Sequence, residues 1–291
     1  MKISGIKSSN KLSISLKVRL TIYVLQFKNL FINCRKKLKK TSISDNKAAR
    51  RINGISIVLP SYNSNPEWLS ISVNSCLTQS QDWPGELELI IVDDGSDSPE
   101  TIEMQDKLSK IEGVKLIRLT KNYGLPTALN KGIDEAKWDW IARQDDDDIS
   151  SSNRFSKQIE FLESNSDCKI LGTTIACFKN NKITRLKRHP EIVDLSILKT
   201  KKRFWFFNHP TAIIEKSFLK ELGGYCPKNN LPHMPEDWSL WIKILEVGEK
   251  IYNLDDILYF YRLHKNSLSQ KDIVKKLDWM QMQLEKNSYN K

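Results

Sequence analysis

The chain has 291 residues, with 46 Lys and Arg against 35 Asp and Glu and a formal charge of +11. The excess lies at one end, because residues 1–50 hold 13 basic residues and one acid while residues 51–291 balance to −1. A basic groove for nucleic acid across the body is therefore not expected. Hydrophobic residues make up 40% of the chain and eight residues are Trp, which argues against global disorder.

The N-terminal segment, residues 1–53, combines an apolar helical stripe with a basic run. The apolar residues recur at steps of three and four: Leu12, Leu16, Leu20, Tyr23, Val24, Phe27, Leu30, Phe31 and Leu38. The basic run Arg35–Lys40 follows, and such a pairing is typical of amphipathic helices on anionic membranes. We therefore predict peripheral association with the inner face of the plasma membrane. The alternatives are packing on the body or a partner, a loosely ordered tail, and nucleic-acid binding.

Other compositional features favour a cytoplasmic protein. No stretch reaches the roughly 18 uninterrupted apolar residues of a spanning helix, and the polar start does not fit a cleaved signal peptide. The five Cys include no CxxC spacing, which argues against a structural zinc site or a disulfide scaffold. A reducing compartment is therefore expected.

Strands and helices alternate four times in residues 54–150. Apolar runs predict strands at 55–59, 87–92, 114–119 and 138–142. Helices are predicted from Pro66, from Pro99 and over 124–136. This alternation predicts βαβ units around a parallel sheet with right-handed crossovers. The GxGxxG of a dinucleotide site is absent after the first strand.

The second half of the chain, residues 151–269 with a terminal helix in 270–291, is less regular. Helices are predicted at 153–164, 191–199, 215–222, 236–247 and 271–287. Strands are predicted at 168–178, 182–187, 211–214, 250–254 and 257–262. The aromatic run Trp205–Phe207 has two interpretations, a core segment and a platform for stacking a sugar.

Three polar clusters stand at predicted strand ends: Ser61–Asn63, Asp93-Asp94 and Asp145–Asp148. Ligands of open α/β sheets bind outside the carboxyl ends of the strands, where these clusters converge. Any one of them alone is an ordinary solvated turn. Four consecutive carboxylates repel one another, however, and a divalent cation such as Mn²⁺ or Mg²⁺ relieves that repulsion. A metal-bridged diphosphate is the expected ligand.

An ordered set of motifs resembles the inverting glycosyltransferases of family 2, which have the GT-A fold. The matching segments run from about residue 54 to 269: Val58–Asn63, Ile91–Ser96, Asn122–Gly124, Ala128–Gly132, Ala142–Asp148, His209-Pro210, Gly223–Tyr225, Glu236–Trp241 and Tyr261–His264. The resemblance implies an α/β GT-A fold, with a single Rossmann-like, mostly parallel sheet flanked by helices. Residues 54–150 would bind the nucleotide-sugar, residues 151–269 would form the acceptor side, and the N-terminal amphipathic segment lies outside the match.

The resemblance also assigns the donor site. Pro60, Ser61 and Tyr62 would line the base pocket, and Asp93-Asp94 would contact the uracil edge. Asn122 and Lys131 would line the nucleotide and donor-sugar pocket. Asp145 and Asp147 match the DxD motif, with Asp147 on the metal, Asp145 near the ribose or donor sugar, and Asp146 in the variable position. The run of four Asp leaves the frame ambiguous, and Asp148-Ile149 favours this choice because the family motif ends in that way.

The remaining assignments concern the chemistry. Asp237 would be the general base that inversion requires, whereas capping of a helix is its alternative. Glu236 would orient the base or contact the acceptor. His264 would be a metal ligand, or else a loop histidine with ordinary hydrogen bonds. The acceptor side is assigned more weakly to four residues: His209, Gly224, Trp238 and Arg262.

The predicted function is a metal-dependent hexosyltransferase. It would move a sugar from a nucleotide-sugar, with UDP expected, to a glycan or lipid-linked acceptor in the synthesis of polysaccharide or lipopolysaccharide. Two alternatives stay open. A nucleotidyltransferase with a similar sheet predicts phosphate-binding motifs such as GxxxxGK, which are missing. A non-catalytic nucleotide-sugar-binding protein at a membrane would tolerate the loss of Asp237.

Overall fold

A computed structural model describes residues 50–79, 83–199, 206–225 and 236–265. The predicted N-terminal helix and the predicted helix at 271–287 lie outside these residues. Within the described part of the chain, no helix is both long enough and apolar enough to cross a membrane.

One mixed sheet of ten strands forms the centre of the molecule. The strands are β1 (Gly54–Ser61), β2 (Glu86–Asp93), β3 (Val114–Arg118), β4 (Trp140–Arg143), β5 (Ile149–Ser150), β6 (Ile170–Lys179), β7 (Lys182–Lys187), β8 (Ile192–Val193), β9 (Ile213–Glu215) and β10 (Ile251–Arg262). The order is β3-β2-β1-β4-β9-β6-β10-β5, with β7 beside β6 and β8 beside β10. Strands β3, β2, β1 and β4 are mutually parallel, and β6 and β10 form a further parallel pair. The predicted α/β fold with a mostly parallel central sheet is confirmed.

Helices cover both faces of the sheet. They are α1 (Pro66–Leu77), α2 (Pro99–Leu108), α3 (Leu125–Glu135), α4 (Arg154–Ser164), α5 (Lys216–Glu221) and α6 (Glu236–Glu246). The first two begin at proline, and the side chains of Asn65 and Ser98 accept N-terminal backbone N–H groups of their helices. Helix α3 lies so close to β1 that a Cβ added at Gly132 would collide with the side chain of Val58.

The two largest hydrophobic cores among the described residues lie against the sheet. One includes the inward residues of β1 with α1 and α4, such as Leu59, Leu69 and Phe155. The other joins α3 and α6 and contains Phe206 and Phe207, which pack on Trp238 and Trp241 with ring centroids 5.4 and 4.6 Å apart. The core interpretation therefore holds for the two phenylalanines, and Trp205 lies outside the described residues.

The second half differs from the prediction in two places. Residues 191–199 were expected to be a helix, but they form β8 and a 3₁₀ helix at Leu195–Lys199, because β8 pairs with the start of β10. The strands predicted at 250–254 and 257–262 are one strand, β10, with register shifts against β6 between them. Asp255 remains compatible with that strand because Arg188 Nε binds its carboxylate at 2.9 Å.

Candidate active site

The loops after β1 and β2 are tied together at the carboxyl edge of the sheet. Asn63 adopts a left-handed conformation, with φ of 46°, and its backbone N–H donates to Ser96 Oγ at 2.9 Å. Its side-chain oxygen accepts the backbone N–H groups of Asp97 and Ser98, each at 3.0 Å. These bonds hold the first two predicted clusters as one unit.

The residues predicted for the base pocket line this unit. Pro60 and Ser61 are buried at the end of β1, where the Ser61 hydroxyl accepts a hydrogen bond from Gln105 Nε2 at 3.1 Å. Tyr62, directly after them, is 47% exposed. An exposed ring beside a fixed loop edge is available for stacking on a planar base.

The two carboxylates after β2 have different surroundings. Asp93 Oδ1 accepts the backbone N–H and the hydroxyl of Ser96, while its Oδ2 lies 3.5 Å from Arg118 Nε. Asp94 accepts the backbone N–H groups of Tyr123 and Gly124, one on each oxygen at 2.8 Å. Asp94 thus closes the loop after β3 with both of its oxygens. Asp93 Oδ2, in contrast, has only the longer contact with Arg118. Burial raises the pKa of Asp94 against the opposing effect of those N–H donors.

Two further predicted donor residues have different positions. Asn122 is exposed in the loop that Asp94 closes. The Lys131 ammonium instead binds Glu135 at 2.8 Å, one helical turn further along α3, and Glu135 also binds Lys115 of β3 at 2.7 Å. The structure does not bring Lys131 into the cluster.

The loop Asp145–Asp148, which we call the acid loop, connects β4 to β5. Carboxylate oxygens of Asp145, Asp147 and Asp148 lie within 4.8 Å of one another. Asp146 is directed away from this group and accepts the Ser64 hydroxyl. Burial and the charge of Asp147 raise the pKa of Asp146 to about 8.

Asp148 is fully buried and only half satisfied. Its Oδ1 accepts the Arg262 backbone N–H at 2.6 Å, while its Oδ2 is buried without a partner among the described residues. Burial raises the pKa of Asp148 well above its ordinary value, and the negative charges of Asp147 and Asp145 add to this rise. A buried carboxylate oxygen without a donor, beside two other carboxylates, fits a divalent cation.

The end of β10 brings His264 and Arg262 to the acid loop. His264 Nε2 lies 2.6 Å from Asp147 Oδ2, and its ring contacts the edge of Trp68 with centroids 4.8 Å apart. Arg262 Nε donates to the backbone carbonyl of Asp147 at 2.6 Å, and its guanidinium covers the rings of Trp68 and Phe178. His264 therefore lies beside the acid loop, where its contact with Asp147 fits both the predicted metal ligand and a histidine with ordinary hydrogen bonds. Arg262 binds the backbone of the same loop.

The residues present fit a Mn²⁺ or Mg²⁺ ion. Asp145, Asp147 and Asp148 offer oxygen ligands, and His264 offers a nitrogen. Hard divalent cations prefer oxygen donors, and Mn²⁺ accepts imidazole more readily than Mg²⁺ does. We therefore expect these four side chains to hold the cation.

Arg143 is a buried charged residue of the candidate site that the sequence prediction did not include. It is 5% exposed at the end of β4, and its Nη1 binds Asp145 Oδ1. Burial alone would lower the pKa of Arg143, but the charge of Asp145 and its hydrogen bond, together with Tyr259 and Tyr225, raise the pKa overall. The available signal was a basic residue two positions before four acids, at the end of an otherwise apolar strand.

His209, which was predicted for the acceptor side, lies near Arg143 with Tyr225. His209 Nε2 and the Tyr225 hydroxyl are 2.9 Å apart, and both side chains are buried. Burial and the positive charge of Arg143 lower the pKa of His209 well below its ordinary value, so the imidazole is neutral at pH 7. Trp238 is a core residue on Phe206, which explains why it is only 7% exposed.

Glu236 and Asp237 form the first turn of α6, on the same side as Tyr225. Asp237 Oδ1 accepts the backbone N–H of Trp238 at 2.9 Å. Burial raises the pKa of Asp145 even against the charge of Arg143, and the charge of Glu236 contributes further to that rise. The start of α6 is thus electrostatically connected with the acid loop.

Gly224 supports the acceptor side at a strained turn. Its φ is +66°, and a Cβ there would lie 2.6 Å from Asn130 Oδ1. Asn130 must keep that position, because its amide group binds the backbone N–H of Tyr225 at 2.9 Å and the Tyr225 carbonyl at 2.8 Å. The turn therefore fixes the tyrosine that contacts His209.

We expect Gly224→Ala to destabilise the protein more than Gly223→Ala. Both glycines have positive φ, but no described atom lies within 4 Å of a Cβ added at Gly223. Gly223→Ala should cost about 1–2 kcal/mol in the free energy of unfolding, from the left-handed backbone alone. Gly224→Ala should cost roughly 1–3 kcal/mol more, because the Asn130 clash is added. Urea unfolding of both variants measures this difference, and equal losses would contradict it.

Comparison with known proteins agrees with this arrangement. Residues 56–229 match the family model described as glycosyl transferase family 2. An uncharacterized glycosyltransferase of Haemophilus influenzae is 34% identical over 213 residues, covering 71% of this chain and 74% of that protein. An Escherichia coli UDP-Gal:alpha-D-GlcNAc-diphosphoundecaprenol beta-1,3-galactosyltransferase is 32% identical over 190 residues, covering 65% of this chain and 67% of that protein.

Solved structures confirm the predicted GT-A fold. The crystal structure of S. aureus TarS 1–349 in complex with UDP-GlcNAc superposes with a TM-score of 0.59 at 20% identity. The superposition covers 73% of this chain and 59% of the TarS chain, so less than two thirds of the latter is represented. Because the family model spans more than half of its residues, the chain belongs to glycosyltransferase family 2.

Proposed function

We propose that the protein is a metal-dependent, inverting glycosyltransferase. It transfers a hexose from a UDP-sugar to a lipid-linked or glycan acceptor during the synthesis of a cell-surface polysaccharide. The observation that carries this proposal is the acid loop, where the buried Asp148 Oδ2 lacks a donor beside Asp145 and Asp147. The names of the relatives support the reaction class, since one is a galactosyltransferase and another is an O-antigen biosynthesis glycosyltransferase of Escherichia coli.

The donor is proposed to bind across the loops after β1, β2 and β3. Tyr62 stacks on the base, and Asp93 accepts from its edge, because Asp94 already uses both oxygens to close the Tyr123–Gly124 turn. Asn122 is exposed in the same loop and contacts the nucleotide. We leave Lys131 out of the donor site because Glu135 holds its ammonium.

The chemistry is proposed to divide between the acid loop and the start of α6. Asp145, Asp147, Asp148 and His264 hold a divalent cation, which supplies charge neutralisation for the leaving diphosphate. Asp237 accepts the proton of the acceptor hydroxyl as that oxygen attacks the anomeric carbon from the side opposite the diphosphate. Such a single displacement inverts the anomeric configuration.

The location of the reaction is a separate proposal. Charge pattern alone supports adsorption of residues 1–53 to the cytoplasmic face of the plasma membrane. A lipid-linked acceptor and a soluble nucleotide-sugar meet at that surface. The described residues belong to the catalytic body and contain no helix suited to span a bilayer.

A donor screen tests the proposed function. With Mn²⁺ and a lipid-linked acceptor, we expect release of UDP from at least one UDP-hexose, and no release after chelation of the metal. Turnover of only GDP- or dTDP-sugars would refute the UDP assignment. Binding of UDP-sugars with no turnover on any acceptor tested would favour the non-catalytic binding protein instead.

A further inference from the structure

Arg154 is a fully buried guanidinium, with 0% of its surface exposed, in the first turn of α4. Each of its nitrogens donates to a neutral acceptor, and none of its hydrogen-bond partners among the described residues is a carboxylate. The partners and distances are Gln158 Oε1 at 3.0 Å, Gln144 Oε1 at 3.0 Å, Ser150 Oγ at 2.9 Å, the Arg143 carbonyl at 2.9 Å and the Pro210 carbonyl at 3.3 Å.

These partners lie at both ends of the acid loop. The Arg143 carbonyl and Gln144 immediately precede Asp145, and Ser150 follows Asp148 after one residue. Ser150 Oγ also donates to Gln144 Oε1 at 2.8 Å, so the two ends are in direct contact across the guanidinium. Of the two remaining bonds, the one to Pro210 reaches the 3₁₀ turn that carries His209, and the one to Gln158 stays within α4.

The arrangement uses the planar fork of arginine rather than its charge alone. An ion pair would join Arg154 to a single carboxylate. The guanidinium instead donates to five neutral acceptors, which come from both ends of the acid loop, a turn and its own helix. Burying a guanidinium without a carboxylate partner is costly. The carboxylates of the acid loop repel one another, so the two ends of the loop must be held at a fixed distance. Holding them there is a role that would justify the cost of burying Arg154.

We propose that Arg154 is a positioning residue of the acid loop: by closing the base between Gln144 and Ser150, it sets the spacing of the carboxylates that bind the divalent cation. Arg154 itself contacts neither the carboxylates nor the donor. This inference rests on the metal site of the proposed function. It predicts that metal affinity depends on the shape of this side chain, although no metal ligand is altered.

The test compares Mn²⁺ affinity with thermal stability in the purified full chain. Arg154→Lys keeps the charge but not the fork, and we expect it to weaken Mn²⁺ binding by about tenfold or more, as losses of orienting groups do. Ser150→Ala removes one acceptor at the far end of the loop and should weaken binding about two- to tenfold. Calorimetric titration with Mn²⁺ alone gives the affinity of the folded protein.

Ile159→Ala is the matched control, because Ile159 is buried one turn along α4 in the core away from the acid loop. It should lower the unfolding temperature without changing Mn²⁺ affinity. The inference is overturned if Arg154→Lys binds Mn²⁺ with the affinity of the wild type. If Arg154→Lys does not fold, wild-type Mn²⁺ affinity in Ser150→Ala overturns it. Absence of Mn²⁺ binding by the wild-type protein would instead refute the metal site of the proposed function.

Discussion

Asp237→Asn is expected to lower the rate of sugar transfer by about 10²–10⁴-fold, the usual contribution of a general base. The amide cannot take the proton of the acceptor hydroxyl, but it keeps the size of the carboxylate and an oxygen for the Trp238 backbone N–H. Binding of UDP with Mn²⁺ should be unchanged, because the donor is proposed to contact the loops after β1–β3 and the acid loop. Steady-state release of UDP and calorimetric binding of UDP separate the two effects.

Glu246→Gln provides the control on the same helix. Glu246 is exposed at the C-terminal end of α6, so neutralising it changes the helix charge equally without approaching the proposed acceptor. Glu236→Gln is expected to have an intermediate effect, since the charge of Glu236 reaches the acid loop. If Asp237→Asn transfers sugar at the wild-type rate, Asp237 is not the general base. Its role would then be only to cap the start of α6.

The positions of the strand ends followed from local sequence. Pro60 ends an apolar run, and Asp93 and Asp145 each follow one, so a parallel sheet places the three clusters at a single edge. Hydrophobic periodicity did not predict an element whose pairing strand is distant in sequence. Residues 191–199 have helical spacing, yet β8 is determined by its pairing with Ile251 and Tyr252.

The interior of the candidate site was less predictable. Arg143 and Arg154 are basic residues, which are exposed in most proteins. The apolar strand before Arg143 indicates its burial, whereas nothing local shows that Arg154 is buried behind the acid loop. Their roles depend on acceptors from separate parts of the chain, such as the Pro210 carbonyl for Arg154. Lys131 is the opposite case: its residue type and motif suggested the donor site, and in the structure its ammonium binds Glu135 one turn away on the surface.

Asp147→Ala is expected to abolish Mn²⁺-dependent binding of UDP, with a loss of affinity of at least about 100-fold. Groups that merely orient a ligand contribute roughly 10–100-fold, so removing the ligand itself should cost no less. Asp147 is the carboxylate that faces His264, at 2.6 Å, and its oxygens lie with those of Asp145 and Asp148. Its loss leaves the cation with an incomplete set of donors.

The stability of the metal-free variant distinguishes a ligand from a structural carboxylate. Removing Asp147 relieves repulsion with its neighbours, so the unfolding temperature without metal should not fall, while the rise that Mn²⁺ gives the wild type should disappear. Asp134→Ala is the control, because Asp134 is an exposed carboxylate of α3 paired with Lys220 at 3.1 Å. Surface pairs contribute little, so this variant should keep Mn²⁺ binding and stability. If Asp147→Ala retains Mn²⁺-dependent UDP binding, the cation is held elsewhere and the acid loop is not the metal site.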